Sequence, residues 1–324
     1  MNENIVPSEP LFVLIAWSPI GYETYLALRD LYGPKNIILV TSRSFHPAES
    51  HYHLGDRHDF FLQTDDELAH TCATLSRLGE EILARGGKFT LIAPQMGNFY
   101  VRVLIESGLC SDLVLYDEGS SAYGARFNLL KTHLWLKSRI KKATSLLECL
   151  AILETDYTRL HEHYSRGVRF YDLHHRKLRS LISFFPEAFP GYEKIHLPMC
   201  DVEFLKESDI ENHVAILLPP IKTLKRPGEA QKYRTDIEKI KSQSEAIKFV
   251  LKSHPSDVGI PIEDYLKLLA LDQVTLYDDF IKDKGLNPFR EPAIIGFNTI
   301  ITRGNSTEIY IKQLGLLAHM AQVA

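Results

Sequence analysis

Apolar and polar positions follow two patterns along this chain: short unbroken apolar runs, and longer stretches with apolar residues at helical spacing. The run Leu11–Ala16 predicts a buried strand. Ser18-Pro19-Ile20-Gly21 predicts a turn ahead of a helix over Tyr22–Leu31. Asn36–Thr41 predicts a second strand, Phe89–Ala93 a third and Leu113–Tyr116 a fourth. Between them, Asp65–Ala84 has helical periodicity and stops at Gly86-Gly87, a C-terminal signal, and Phe99–Ser107 predicts a further helix. Near-continuous apolar strands alternating with helices argue for a parallel sheet covered on both faces. The stretch from Phe127 to Arg179 reads as helical and is rich in Lys, Arg and His.

The proline-dense stretch Phe184–Gly191 predicts a domain boundary, with one domain over 1–185 and another over 186–324. The alternation then restarts. Strands are predicted over His213–Leu218, Ala246–Leu251, Val274–Tyr277, Ile294–Thr302 and Leu316–Met320, and helices up to Gln243 and over Ile262–Ala270 and Ser306–Leu314. The fold class is α/β. Two such halves predict two Rossmann-like domains facing each other across a cleft, with ligands beyond the carboxyl ends of the strands.

At 324 residues, 45% hydrophobic and 24% charged, the composition is that of a soluble globular protein of two-domain length. A formal net charge of -4 leaves no basic footprint for a nucleic-acid partner. Cys72, Cys110, Cys149 and Cys200 are scattered without a C-x-x-C pair, which points to reduced thiols in a cytoplasmic protein. The first residues lack the basic n-region of a signal peptide, and no apolar stretch reaches the ~18 residues of a spanning helix. Contact with a membrane would therefore be made from the surface.

Common nucleotide and metal signatures fail. No G-x-G-x-x-G follows a strand, and Gly119–Gly124 has P-loop glycine spacing but continues into Ala125-Arg126 instead of Lys and Ser/Thr. His161-Glu162 misses the zinc-protease spacing, and the pairs His51/His53 and His174/His175 have no accompanying ligands, so no metal site is expected.

Three loops remain, each just after a predicted strand. In Tyr116-Asp117-Glu118-Gly119-Ser120 a carboxylate pair leaves a buried strand and meets a glycine that permits a tight turn. Desolvation and a neighbouring carboxylate both favour protonation, which suits a general base. In Lys252-Ser253-His254-Pro255 the proline holds His254 extended, so its imidazole can donate to a phosphate oxygen with the charge of Lys252 nearby. In Arg303-Gly304-Asn305-Ser306-Thr307-Glu308 a strand passes into a helix, and Asn305 or Ser306 can cap a first turn whose N–H groups suit an anion. Each loop has an ordinary structural explanation when taken alone.

Taken in order, Asp117-Glu118-Gly119, His254-Pro255 and Ser306-Thr307 resemble the shared marks of bacterial sialyltransferases of the lipooligosaccharide and capsule polysialyltransferase type. Lys252, two positions ahead of the histidine, also matches. The resemblance spans Asp117 to Thr307 and implies a GT-B fold with an acceptor-side N-terminal domain and a CMP-donor-binding C-terminal domain. It implies an inverting, metal-independent transferase that needs no cofactor and takes CMP-sialic acid as donor substrate and a glycan or glycolipid as acceptor. Asp117 would deprotonate the acceptor, and His254 would bind the donor phosphate with Lys252, Asn305, Ser306 and Thr307. Glu291 would hold the CMP ribose, and the basic loop Lys222–Gly228 would cover the donor. Alternatives are a GT-B enzyme using another CMP-activated acidic sugar such as CMP-Kdo, or a non-catalytic nucleotide-binding protein of the same fold.

The stretch Leu129–Lys142 is expected to form a helix mixing apolar and basic surface, with Trp135, Lys137, Arg139, Lys141 and Lys142. It is either a core-packed helix with a solvated basic face or a surface resting on anionic inner-membrane lipid. The sequence leaves homodimer formation open.

Overall fold

A computed structural model describes residues 10–57, 60, 63–118, 122, 130–131, 144–166, 168–198, 211–244, 246–254, 257, 259–287, 297 and 299–303. The chain divides into two compact units, Met1–Cys200 and Asp201–Ala324.

The first unit is built on a seven-stranded sheet. Its strands are β1 (Phe12–Ala16), β2 (Ile37–Thr41), β3 (Tyr52–His53), β4 (Phe89–Ala93), β5 (Cys110–Tyr116), β8 (Leu178–Ser183) and β9 (Ile195–His196). Two intervening strands, β6 (Leu130–Lys131) and β7 (Val168–Arg169), form a separate antiparallel pair. The order in the large sheet is β3-β2-β1-β4-β5-β8-β9, and every pairing in it is parallel. The helices are α1 (Pro19–Tyr32), α2 (Asp65–Ala84), α3 (Phe99–Glu106), α4 (Thr144–Ile152) and α5 (Tyr157–Arg166). Val13, Leu14, Ile15 and Ala16 are all buried, so β1 is covered on both faces, and its unbroken apolar run is the sequence signature of that placement.

Local signals explain the helices. Thr64 caps α2 by accepting from Glu67 N–H, while the Glu67 carboxylate accepts from Thr64 N–H at 2.7 Å, a reciprocal capping box. Leu68, Cys72, Leu75, Leu78 and Ile82 form its buried stripe. Gly79 lets α4 approach, since a Cβ there would lie 2.9 Å from the Ile152 side chain. Every residue of α3 is buried, which places it inside the unit's core.

The second unit has a four-stranded sheet made of β10 (His213–Leu217), β11 (Lys248–Lys252), β12 (Thr275–Leu276) and β13 (Ile300–Ile301). The order is β12-β11-β10-β13, all parallel. Its helices are α6 (Ile221–Leu224), α7 (Glu229–Lys241), α8 (Ile262–Leu269) and α9 (Tyr277–Asp283). Side chains alternate along β10. Ala215 and Leu217 join a cluster with Tyr277, Phe280 and Ile281 of α9, while Val214 and Ile216 join one with Tyr233 and Ile237 of α7 and Tyr265 of α8.

Several expectations are corrected. Ser18–Gly21 is not a separate turn: Pro19 occupies the first position of α1, where its missing N–H costs no hydrogen bond. The middle stretch is not helical throughout, because β6, β7 and the start of β8 lie within it. Leu130–Lys131, expected in a helix, is strand, and 132–142 lies outside the described residues. The first unit runs on past the proline-dense stretch, because β8 and β9 flank it and pair with each other. Tyr277 opens α9 and does not end a strand. The elements expected over Ser306–Leu314 and Leu316–Met320 lie outside the described residues.

Candidate functional site

Each sheet reverses its winding once, between β1 and β4 in the first unit and between β10 and β13 in the second. Ligands of open parallel sheets bind at the carboxyl edge near such a reversal. The two edges are described separately.

In the first unit, β5 delivers Asp117 and Glu118 to the carboxyl edge. The β5–β8 register pairs Tyr116 with Ile182, which brings Asp117 beside Ser183. Ser183 Oγ donates to Asp117 Oδ2 at 2.9 Å and to the Phe185 carbonyl at 2.7 Å, so one hydroxyl proton serves two acceptors. Asp117 is fully enclosed, whereas Glu118 is half-buried. Tyr171 donates to the Glu118 carbonyl at 3.3 Å. Burial, and then the charges of Glu118 and Asp117, push the Tyr171 phenol well above its usual range, so it stays a donor.

The β1 end is tied to the same place. Tyr116 Oη reaches past β4 to donate to the Ile15 carbonyl at 2.8 Å. It also lies 2.5 Å from where a Cβ on Gly21 would sit, which explains the glycine in the first turn of α1. After β2, Arg43 adopts a left-handed backbone with φ 65, and its guanidinium lies 5.1 Å from the centroid of the Trp17 ring. Burial lowers the Arg43 pKa, and the charge of Glu118 opposes that shift. Asp117, Glu118, Ser183, Tyr171, Tyr116, Trp17 and Arg43 thus belong to one edge. Only the first two carried a sequence signal. Ser183 was hidden because its strand lies at the end of the stretch expected to be helical, and Arg43 sits in a loop with no motif.

In the second unit, β11 delivers Lys252, Ser253 and His254. Leu217 and Leu251 pair with Lys252 and Leu276 respectively, which sets Lys252 alongside Tyr277. Lys252 Nζ lies 4.5 Å from the centroid of the Tyr277 ring. It is enclosed and makes no hydrogen bond among the described residues. His254 is half-buried, and its carbonyl accepts from Asp257 N–H at 2.9 Å. Asp257 Oδ2 accepts from Ile221 N–H at 2.8 Å and Tyr265 Oη at 2.7 Å, fastening this turn to α6 and α8.

At the β13 end, Thr302 Oγ1 is also enclosed without a hydrogen bond among the described residues. Arg303 Nε donates to the buried Asp236 on α7 at 3.1 Å and fixes the start of the third loop. The rest of that loop, Asn305, Ser306 and Thr307, lies outside the described residues, as do Gly119, Pro255 and Glu291. The basic loop Lys222–Gly228 is folded back on its own unit: part of it is α6, and Lys225 lies 3.8 Å from Asp264 of α8.

Among the described residues no His, Cys, Asp and Glu side chains converge into a group that could hold a metal ion, and no helix is long and apolar enough to cross a membrane. No family model matches the chain, and no curated protein does. Among solved structures, Anabaena HepE in complex with UDP and glucose aligns with a TM-score of 0.37 and 11% identity, over 90% of this chain and 73% of that one.

Proposed function

We propose that the chain is an inverting, metal-independent glycosyltransferase that moves sialic acid from CMP-sialic acid to a glycan acceptor. One observation carries the reading: the enclosed ammonium of Lys252 at a carboxyl edge. An ammonium removed from water without an anionic partner costs several kcal/mol, and an aromatic face returns only ~2 kcal/mol of that. A donor phosphate at this edge would complete the site, with His254 as a second donor to the same oxygens. Ser306 and Thr307, which follow β13 in sequence, match the motif that holds phosphate in the enzymes this chain resembles.

In the transfer step the acceptor hydroxyl oxygen forms a bond to the anomeric carbon as the bond from that carbon to the phosphate oxygen breaks. The electron pair of the broken bond leaves with CMP, and Lys252 and His254 stabilise the charge that builds there. The acceptor proton passes to Asp117. Ser183 steadies that carboxylate, and its hydroxyl proton can turn to Phe185 when Asp117 takes up a proton. Glu118 is the second reading for the base, favoured by its partial exposure.

Lys252→Met should weaken CMP binding in calorimetry by at least about tenfold, since an ion-paired hydrogen bond is worth ~1.5–3 kcal/mol. Asp117→Asn should leave CMP affinity intact and slow transfer by ~10²–10⁴-fold. Unchanged CMP affinity in the Lys252 variant contradicts the donor site. Full activity in Asp117→Asn with loss in Glu118→Gln transfers the base to Glu118. Turnover of CMP-Kdo in place of CMP-sialic acid replaces the sugar and keeps the chemistry.

A further inference from the structure

Thr41, the last residue of β2, is the hub of a polar cluster at the carboxyl edge of the first unit. Ser50 Oγ donates to Thr41 Oγ1 at 2.7 Å, and His53 Nδ1 and His46 Nδ1 lie 3.1 and 3.5 Å from the same oxygen. The two imidazole rings meet edge to face, with centroids 4.6 Å apart. On its far side His53 Nε2 lies 3.4 Å from Asp56 Oδ1. His70 of α2 also acts on His53, whereas His51 faces Glu81 and Arg85.

The contact between Thr41 and His46 closes the short segment that contains Arg43. A left-handed backbone at φ 65 strains any residue with a Cβ, so Arg43 keeps it only while its surroundings hold it there. Arg43 N–H donates to the Gly55 carbonyl at 3.0 Å, next to Asp56. Phe45 is buried against Tyr22 of α1 and anchors the middle of the loop, which confines any movement to the residues beside it. The guanidinium over Trp17 is thus held in place by the same cluster that brings two histidines together.

We propose that His46 and His53 form a pH-sensitive latch: with at most one proton between them they hold Arg43 at the carboxyl edge, and with both rings protonated they release it. The first added proton is accommodated. Thr41 can accept from His53 Nδ1 while its own hydroxyl donates to the Tyr52 carbonyl at 3.3 Å, and Asp56 balances the charge. The second puts like charges on facing rings. His46, the exposed member, then turns into water, and the contact that closes the segment is lost. Burial, and then the charge of His46, lower the His53 pKa, so release belongs below pH 6.5. The latch stands whether or not the chain transfers a sugar.

Trp17 reports the release, and Trp135→Phe leaves it as the one tryptophan in the chain. Its fluorescence is followed from roughly pH 8 to pH 5, with far-UV circular dichroism on the same samples. The expected result is a red shift of the emission with a midpoint below pH 6.5, as Trp17 loses the cover of Arg43, while the dichroism stays constant. His46→Gln and His53→Gln each leave a single imidazole and are expected to abolish the shift. Flat emission in the parent protein overturns the proposal. So does a shift that follows a loss of dichroism, or one that keeps its midpoint and size in either variant.

Discussion

His163 on α5 is held far from its ordinary state: burial first, and then the charge of Arg102, push its pKa down from 6.5 to about 3. Glu106 is held the other way. Burial alone would raise its pKa, but the hydrogen bond from His175 and the charges of Arg102, His175 and Lys177 outweigh it, taking the value from 4.5 to about 2. Both shifts make acid destabilising. The neutral imidazole contributes its full stability above pH 6.5 and loses it as pH falls toward 3, because the unfolded chain takes the proton first. The Glu106 carboxylate contributes above pH 4.5 and loses its share as pH falls toward 2. Urea unfolding of wild type should therefore weaken in two stages on acidification, and His163→Gln should flatten the upper stage. An unchanged slope between pH 6.5 and 4.5 in that variant contradicts the assignment. None of this was legible in the sequence, where His163 is one histidine in a polar helix. What buries it is packing among α3, α5 and the loop before β8, which no local pattern records.

Tyr116, Gly21 and the Ile15 carbonyl join β5 to the first turn of α1, so a change in α1 should be felt at Asp117. Gly21→Ala would set a methyl group 2.5 Å from Tyr116 Oη and 3.1 Å from Ala16 Cα. The expected cost is ~1–3 kcal/mol by denaturant titration, with the proposed sialyl transfer slowed further than the folded fraction alone requires. Thr64→Ala is the contrast: loss of the α2 cap should cost ~1 kcal/mol and leave the proposed transfer by the folded chain unchanged. Equal effects of the two changes on turnover would separate Tyr116 from the chemistry. Elements with strong local signals were readable in advance, α2 from its capping residues and stripe, and β1 and β4 from their apolar runs. The short strands β3, β7 and β9 were not, because two-residue pairings depend on what lies next to them in the sheet. The carboxylate pair was readable because it combines a strand end, two acids and a glycine, whereas Arg43 and Ser183 reach the same edge only through the strand order.

For the whole molecule, the net charge of -4 works against attraction to anionic lipid, and the basic stretch around Lys137, Arg139, Lys141 and Lys142 works for it. Each cation near an anionic surface contributes about 1 kcal/mol, and salt screens it. On the lipid-resting reading, flotation with anionic vesicles recovers the chain at low salt and loses it at high salt, and changing those four residues to Gln abolishes recovery. Equal recovery on neutral vesicles would leave only the reading of a core-packed helix with a solvated basic face. The two-unit α/β organisation was legible from the restart of the alternation after the middle stretch. Its dividing point was not, because the prolines that suggested it sit in the connection between two paired strands.

The strand order also governs what the first unit can do while it is being made. β1 lies inside the sheet, with Phe12 paired to Ile37 on one side and Thr90 on the other. Its second edge stays open until β4 has left the ribosome, and β5 then waits for β8, which joins Leu113 to Leu178. Emerging chains therefore expose bare apolar strand edges through most of the first unit's synthesis, a state prone to wrong pairing with neighbours. Translation rate and chaperone supply become determinants of yield, set by the same order of strands that carries Asp117 to its edge.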